Sequence, residues 1–231
     1  MEKSSVTNIA NPIDIDYWRQ LDLFDPIDFK TPIHIIGAGA TGSYITYILA
    51  KMGIKDITVY DFDRVEVHNL PNQIFGVQDV GKSKVRALQD RILNDTNIKI
   101  KTVNKKVEKE KFSGIVFLLT DTMKSRKDIF ESSIVNNINV KFYIETRMAI
   151  SGGYIFSFSP NEKKMISNYR KTLYSDEEAE RSPCSNLAIS PTVSILAGLA
   201  AFTLINFVKN KSYSNQVLFS LSPFLVLNKN F

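Results

Sequence analysis

Cysteine is nearly absent from this sequence: Cys184 is the single cysteine among 231 residues. One thiol cannot form an intrachain disulfide, and zinc sites built from paired C-x-x-C motifs are excluded. The N-terminal stretch MEKSSVTNIANPIDID has no apolar segment of the kind that a secretory signal peptide needs. Both features favour a reducing compartment, and we expect a cytoplasmic protein.

Strong charge is also lacking, and the longest apolar run has polar breaks. The net charge of +5 is a weak indication of an acidic partner. The basic stretch KIKTVNKKVEKEK has no aromatic residue that could stack on bases. Residues 189–208 are about long enough to span a membrane, but serine, threonine, proline and asparagine interrupt them. The sequence therefore predicts a buried core helix here, and neither a membrane nor a nucleic acid as partner.

Length and pattern predict one α/β domain at residues 31–231, preceded by an N-terminal helical arm at residues 1–30. Strands and helices alternate from Pro32, which favours a doubly wound, mainly parallel, Rossmann-like sheet. Antiparallel strands are expected to extend this sheet at the C-terminus, and a long mobile loop is expected at residues 161–185. The predicted helices cover residues 14–24, 41–53, 82–93, 125–136 and 191–209.

What the sequence does contain is a glycine turn, IIGAGATGS, between the first predicted strand and helix. Gly37, Gly39 and Gly42 form G-x-G-x-x-G. Such a turn lets the backbone approach a phosphate, while the helix N-terminus offers N–H groups to an anion. Asp61 ends the second predicted strand, where a carboxylate can accept hydrogen bonds from ribose hydroxyls. The pattern predicts a bound nucleotide.

The glycine turn does not distinguish NAD from ATP. A dehydrogenase needs a nicotinamide site and a proton donor. The histidines are His34, inside the first predicted strand, and His68, in a polar segment. Neither makes a persuasive site for hydride transfer, so the residues after the turn must decide between the two nucleotides.

Three stretches follow one another along the chain: GAGATGS at residues 37–43, YDFDRVEVHNLPNQIFGVQDVGKSKV at 60–85 and LLTD at 118–121. Together they resemble the ThiF/MoeB family, the ubiquitin-activating-enzyme superfamily of adenylating enzymes. The family carries D-x-D, N-L-x-R-Q, G-x-x-K and a strand-ending Asp in this order, and the counterparts here extend over residues 17–208. The resemblance implies a ThiF-like adenylation domain that uses ATP and Mg²⁺.

The resemblance also implies roles for individual residues. Adenylation joins a carboxylate to the α-phosphate of ATP and expels pyrophosphate, so the site must offset negative charge on both reactants. Lys84 is implied to contact the phosphates, and Asp121 to hold Mg²⁺ together with several waters. The other residues implied to bind the nucleotide are Gly37, Gly39, Gly42, Asp61, Asp63, Asn69 and Gln73.

The N-terminal arm carries a further match, the tetrapeptide YWRQ at residues 17–20. Family members often carry Y-x-R-Q in an N-terminal helix, and its arginine reaches the ATP of the neighbouring subunit. The resemblance therefore implies a homodimer in which Arg19 acts in trans.

The chain departs from the family pattern within the N-L-x-R-Q motif. Asn72 stands where the family has arginine, so one positive charge near the phosphates is missing. Either Lys82 supplies this charge or the chain is a weak or altered adenylating enzyme. The zinc cysteines of many family members are absent too, so the loop after residue 160 must be held in another way or be mobile.

Cys184 lies in RSPCSNLAISPTVSILAG, just before the last predicted helix. Some family members carry a cysteine in a similar place that forms a thioester or becomes linked to a sulfur carrier. Arg181 could stabilise a thiolate there, and an unreactive loop thiol is the alternative. The roles of Glu145 and Arg147 are also left open by the sequence: these residues either bind a substrate tail or pair with each other.

The sequence therefore predicts ATP-dependent adenylation of the C-terminal carboxylate of a small ubiquitin-like or sulfur-carrier protein, with thioester formation on Cys184 as an optional second step. One alternative is an NAD(P)-dependent oxidoreductase, which leaves residues 69–84 unexplained. Another is a non-catalytic ThiF-like scaffold, which the missing arginine makes more credible. The sequence identifies neither the partner protein nor the pathway, which is sulfur transfer, conjugation or defence.

Overall fold

The computed structural model describes residues 15–180 and 189–231, which form a central sheet with helices on both faces. The strands are β1 (Ile33–Ile36), β2 (Ile57–Tyr60), β3 (Lys101–Val103), β4 (Gly114–Leu118), β5 (Val140–Ala149), β6 (Gly152–Phe158), β7 (Gln216–Leu221) and β8 (Phe224–Lys229). The helices are α1 (Ala40–Lys51), α2 (Lys84–Thr96), α3 (Met123–Ile129), α4 (Lys163–Arg170), α5 (Asp176–Glu180) and α6 (Ser190–Val208).

The strands lie in the order β3-β2-β1-β4-β5-β6-β7-β8. The first five in this order pair in parallel, and β6 to β8 are antiparallel additions at one edge. This arrangement confirms the predicted doubly wound, mainly parallel sheet with an antiparallel C-terminal extension.

The centre of the sheet is apolar because helices cover both of its faces. All residues of β4, which reads GIVFL, are buried, as is typical of a central parallel strand. β1 pairs with β2 on one side and with β4 on the other, so the direction of the strand order reverses at β1. Open α/β sheets bind ligands in the crevice outside the carboxyl ends of the strands at such a switch point.

One face of the sheet is covered by α1, α2 and α6, whose apolar side chains share one core. Residues 41–53 were predicted as a helix closed by glycine, and Gly53 has φ +91° directly after the last turn of α1. By length and composition α6 could cross a membrane. However, Leu196, Ala197 and Ala200 are fully buried, and α6 packs on α1, β5 and β6, as expected of a core helix.

The other face is covered by α3, a π turn at its end, and α4. The helix predicted over residues 125–136 begins earlier, at Met123. Its cap is Thr122, whose hydroxyl accepts a hydrogen bond from the Ser125 N–H at 3.2 Å. The π turn that ends it buries Phe130 completely against the sheet.

Two predictions of local structure are corrected. The helix expected over residues 14–24 is wrong, because the described part of this stretch forms only a 3₁₀ turn at Trp18–Gln20 followed by further turns. The loop expected at residues 161–185 is wrong in part, because α4 and α5 lie within it. α4 is mostly polar, but Ile166 and Tyr169 lie three residues apart and are both buried.

Candidate active site

A cleft of about 790 Å³ opens at the carboxyl ends of β1, β2 and β4. We call its first side the turn wall, which consists of the glycine turn and cleft-lining residues from 60–84. The second side, the β5 wall, consists of cleft-lining residues from 119–129 and 146–148, of Tyr174, and of the buried Glu145 and Tyr169 behind them. Residues 105–107 complete the lining. Most of the predicted site residues line this cleft: Gly37, Gly39, Asp61, Asp63, Asn69, Gln73, Lys84 and Asp121.

The glycines of the turn serve different purposes. Gly37 has φ +101°, and a Cβ there would lie 2.7 Å from the Leu119 carbonyl oxygen. A Cβ on Gly42 would lie 1.9 Å from the Gly37 carbonyl oxygen, so Gly42 lets α1 pack on the turn and does not itself line the cleft. By contrast, no described atom lies within 4 Å of a Cβ on Gly39. The absent side chain of Gly39 leaves room beside the first N–H groups of α1, where an anion can bind.

Asp61 is fixed by backbone donors. Its Oδ2 accepts a hydrogen bond from the Ala38 N–H at 2.6 Å, and its Oδ1 accepts one from the Asp63 N–H at 2.8 Å. Burial raises the pKa of Asp61 above its ordinary value, although these hydrogen bonds and the nearby Lys84 oppose the rise. The carboxylate therefore joins the glycine turn to the D-x-D segment, and its remaining lone pairs can accept ribose hydroxyls.

Lys84 is the first residue of α2 and is only 7% exposed. Its ammonium group donates to Asp63 Oδ2 at 2.9 Å, and its backbone N–H donates to the Asp63 carbonyl at 2.9 Å. The Asp63 side chain is 50% exposed, so the ion pair is open on one side. A phosphate that enters the cleft can take the place of the Asp63 carboxylate on the ammonium group without disrupting a packed core.

Asn69 and Gln73 lie on the connection between β2 and α2. Asn69 is buried, and its side-chain oxygen accepts a hydrogen bond from the Glu66 N–H at 2.9 Å. Within the described chain, the buried side-chain oxygen of Gln73 has no hydrogen-bond partner. Buried polar atoms of this kind are normally satisfied by a ligand or water. Asn69 thus holds the connection in place, whereas Gln73 offers an acceptor toward the cleft.

Asp121 follows β4 and is exposed in the cleft. Its Oδ1 accepts a hydrogen bond from the Thr122 N–H at 2.9 Å, and the buried hydroxyl of the adjacent Thr120 has no partner among the described residues. The described residues contain no cluster of three or more His, Cys, Asp or Glu side chains suited to a metal. Mg²⁺ needs few protein ligands because it keeps several waters and binds substrate phosphates. One carboxylate beside a free hydroxyl oxygen therefore fits Mg²⁺.

A second carboxylate lies close to Asp121, at the beginning of α3. Asp176 accepts hydrogen bonds from the Met123 N–H at 2.5 Å and from the Lys124 N–H at 3.1 Å. Carboxylates are stabilised at helix N-termini by the unpaired N–H groups and the helix dipole. This contact fastens α5 to the β5 wall of the cleft.

The β5 wall is built around Glu145, which is completely buried. Arg126 and Arg147 each donate to its Oε1 at 2.6 Å, and the Tyr169 hydroxyl donates to its Oε2. The Tyr143 hydroxyl lies 2.9 Å from that of Tyr169. The pairing of Glu145 with Arg147, one of the two alternatives that the sequence left open, is therefore present in the structure.

The guanidinium groups keep the Glu145 carboxyl ionised. Burial alone would raise the pKa of Glu145, but Arg126 and Arg147 outweigh this effect and hold the pKa below its usual value. Burial also raises the pKa of the Tyr143 and Tyr169 hydroxyls well above 10.0. Both tyrosines are therefore neutral hydrogen-bond donors at physiological pH.

Two residues singled out from the sequence do not line the cleft, and a third lies outside the described residues. The Arg19 guanidinium lies 5.1 Å from the centre of the Trp18 ring on the N-terminal arm, and Arg19 does not line the cleft. Lys82 donates to Asp79 at 2.9 Å and lies outside the lining too, so the structure gives it no position at the phosphates. Cys184 lies outside the described residues.

The sequence interpretation also missed cations that line the cleft. Arg64 directly follows Asp63 in the quoted motif, so its position was an available signal. Arg126 lies about one helical turn beyond Asp121, but only the tertiary structure brings its guanidinium to Glu145.

The sequence matches a model of the ThiF family over residues 29–226. A NEDD8-activating enzyme E1 catalytic subunit from Arabidopsis thaliana is 32% identical over 127 residues, which are 52% of this chain and 28% of that protein. A molybdopterin-synthase adenylyltransferase from Haemophilus influenzae is 24% identical over 220 residues, which are 85% of each chain.

Solved structures share the fold. E. coli MccB, crystallised with ATP, has a TM-score of 0.67 and 19% identity, and the likeness covers 87% of this chain and 64% of MccB. PaaA has a TM-score of 0.68 and 18% identity, with coverage of 87% and 64%. The match spans less than two thirds of the length of MccB and of the Arabidopsis relative.

Proposed function

The chain belongs to the ThiF family, and from this membership we propose that it is an ATP-dependent adenylyltransferase. Its proposed substrate is the C-terminal carboxylate of a small ubiquitin-like or sulfur-carrier protein. The observation that carries the proposal is the meeting of Asp61, Lys84 and Asp121 in one cleft beside the glycine turn. These residues provide an acceptor for ribose, a cation for phosphate and a ligand for a metal.

Nucleotide binding follows from the turn wall. Ribose hydroxyls donate to Asp61, whose carboxylate two backbone N–H groups already orient. The phosphate oxygens accept hydrogen bonds from the N–H groups at the start of α1, where Gly39 leaves space. The Lys84 ammonium group releases the Asp63 carboxylate and binds a phosphate oxygen in its place. Mg²⁺, held by Asp121 with the Thr120 hydroxyl close by, would neutralise part of the phosphate charge when bound.

The reaction is a displacement at the α-phosphorus. A substrate carboxylate oxygen bonds to this phosphorus, and the bond from the phosphorus to the oxygen that bridges to the β-phosphate breaks. Pyrophosphate leaves with the electron pair of that bond, and the product is an acyl adenylate. The protein has no proton to transfer in this step, so its contribution is to orient the two anions and to offset their charge with Lys84.

Two finer parts of the proposal concern assembly and a second step. We propose a homodimer in which Arg19 reaches the neighbour's cleft, supported by its position on an arm outside its own cleft and by the 63% exposure of the adjacent Trp18. We also propose that a Cys184 thiolate attacks the acyl carbon and releases AMP, leaving a thioester. The position of the cysteine in the sequence is the support for this step.

ATP–pyrophosphate exchange tests the activity. The purified chain is incubated with ATP, Mg²⁺, labelled pyrophosphate and a candidate acceptor, a small β-grasp protein ending in glycine. We expect exchange that requires the free C-terminal carboxylate, and the matched control is the same acceptor with an amidated C-terminus. A short peptide is the second acceptor class, because MccB has been crystallised with MccA. No exchange with any acceptor would contradict the proposal.

The same assay tests the two finer parts. Arg19→Ala should depress exchange in the assembled dimer, and unchanged exchange would remove the role in trans. Mass spectrometry should detect a thiol-labile adduct on Cys184 after incubation with the acceptor, ATP and Mg²⁺, and its absence would remove the thioester step.

The oxidoreductase alternative is not favoured. His34 lies in β1, with its Nδ1 3.2 Å from the Tyr60 hydroxyl, and burial lowers its pKa. His68 lines the cleft, but it lies on an exposed turn 3.4 Å from Glu66. A non-catalytic scaffold would show no pyrophosphate exchange, whether or not it binds a nucleotide. The exchange assay therefore separates the scaffold alternative from the enzyme.

A further inference from the structure

The cleft is lined by several cationic side chains besides Lys84, to which the proposed reaction assigns no role. Its arginines and lysines are Arg64, Lys84, Lys105, Lys106, Arg126 and Arg147. Most of them pair with a carboxylate: Lys84 with Asp63 at 2.9 Å, Lys105 with Glu110 at 2.8 Å, and Arg126 and Arg147 with Glu145 at 2.6 Å. In the described part of the chain, Arg64 and Lys106 have no carboxylate within 4.0 Å. These two cations are therefore available to an anionic ligand.

Arg64 lies where the turn wall meets the start of α2. Its backbone forms an isolated antiparallel bridge with Ser83, which places Arg64 beside Lys84. The Arg64 Nη1 donates to the Gly81 carbonyl at 2.7 Å. This hydrogen bond fixes one edge of the guanidinium group and leaves the other donors available. A planar cation held in this way is well suited to bind phosphate oxygens.

Lys106 comes from another part of the chain. It follows β3, where the Val103 carbonyl accepts a hydrogen bond from the Asp61 N–H at 3.2 Å. Lys106 thus belongs to the segment beside the proposed ribose ligand, whereas Arg64 lies next to Lys84 at the N-terminus of α2. Of the two available cations, Arg64 is the one at the proposed phosphate site.

We propose that Arg64 binds the terminal phosphates of ATP and supplies the positive charge that is absent at Asn72. This inference rests on the proposed function. Arg64 and Lys84 would then both contact the pyrophosphate group, on which negative charge accumulates as the bond to the α-phosphorus breaks. Arg64 would distinguish ATP from AMP, because AMP has no terminal phosphates.

Nucleotide affinities of the full chain and its variants test this role. Calorimetry compares a non-hydrolysable ATP analogue with AMP for the wild type, Arg64→Gln, Arg64→Lys and Lys82→Ala. Glutamine keeps a side-chain N–H donor but has no charge, and Lys82→Ala removes a neighbouring cation that Asp79 already holds. We expect Arg64→Gln to weaken binding of the ATP analogue about tenfold, the usual effect of losing a charged hydrogen bond, while AMP binding is unchanged. Arg64→Lys keeps the charge but not the planar geometry, so it should lose less affinity than Arg64→Gln, and Lys82→Ala should lose none.

Each other outcome overturns the inference in a distinguishable way. If Arg64→Gln binds the ATP analogue as the wild type does, Arg64 has no phosphate role and the proposed function stands. If Arg64→Gln loses affinity for the ATP analogue and AMP equally, Arg64 only supports the loop at Gly81. If the wild-type chain binds NADH and not the ATP analogue, the proposed function and the role of Arg64 both fail.

Discussion

The two walls of the cleft hold their charges in different ways. In the turn wall, Lys84 pairs with Asp63, and the side chains of the pair are 9% and 50% exposed. In the β5 wall, Glu145 is completely buried and is shared by Arg126 and Arg147. The half-exposed pair can exchange a partner for a ligand, whereas removal of one member of the buried cluster leaves an uncompensated charge. The turn wall is thus suited to binding, and the β5 wall to holding the structure.

The β5 wall still influences the proposed chemistry, because it connects distant parts of the chain beside Asp121, the proposed metal ligand. Arg126 donates to the carbonyl of Thr120, the residue before Asp121. Arg147 donates to the Thr172 carbonyl at 2.6 Å, which anchors the segment after α4. The buried cluster therefore helps to position Asp121.

The largest effect on stability that we expect follows from removing the Glu145 carboxylate at the centre of the β5 wall. Glu145→Ala leaves two buried arginines without a counter-charge, so the free energy of unfolding should fall by about 3–5 kcal/mol. Denaturant titration measures this change. The control is Glu131→Ala, which removes an exposed pair with Arg170 whose Nη2 to Oε2 distance is 2.6 Å, and its expected cost is at most about 1 kcal/mol. Equal losses of unfolding free energy in the two variants would show that the buried cluster contributes no more to stability than the exposed pair.

Acidification of the wild type should also reveal the stabilising role of the Glu145 carboxylate. The pKa of Glu145 is lower in the folded chain than its ordinary value, so the ionised carboxylate stabilises the fold at neutral pH. This stabilisation is lost as the pH falls through the lowered pKa. A Glu145→Gln variant has no such titration and should therefore show a shallower loss of stability in that range.

The next largest effect concerns the turn wall and activity. Lys84→Ala should lower the rate of pyrophosphate exchange about 10²–10³-fold, as the loss of one charge-stabilising donor typically does, while the chain still folds. Lys101→Ala is the control, because Lys101 pairs with Asp56 at 2.8 Å on the surface and does not line the cleft. Exchange by Lys84→Ala at the wild-type rate would remove this residue from the phosphate site.

The two walls also differ in how far the sequence predicts them. The turn wall comes from two neighbouring stretches, the glycine turn and residues 60–84, and each of them carries a local motif that reveals it. The β5 wall joins Arg126 from α3, Glu145 from β5 and residues of α4, and no local spacing indicates that they meet.

The same reason explains two departures from the predicted local structure, at α4 and at the end of the helix predicted over residues 125–136. α4 has few apolar residues, and the burial of Ile166 and Tyr169 against the sheet stabilises it as a helix. The predicted helix at residues 125–136 widens at its end, where Phe130 packs 4.5 Å from the Tyr169 ring centre. Tertiary contacts decided both cases, whereas the central strands, which are apolar throughout, were visible in the sequence.

The smallest effect tests whether the carboxylate at the start of α3 belongs to the structural side of this comparison. Asp176→Ala removes the acceptor of the Met123 and Lys124 N–H groups. Loss of such a cap should lower the free energy of unfolding by about 1 kcal/mol and leave the affinity for ATP unchanged. The control is Asp128→Ala on the same helix, which removes only a surface pair with Lys124 at 2.7 Å and should have no measurable effect. An increase in ATP affinity in Asp176→Ala would instead show that Asp176 competes with a phosphate for these N–H groups, and α3 would then belong to the binding side of the cleft.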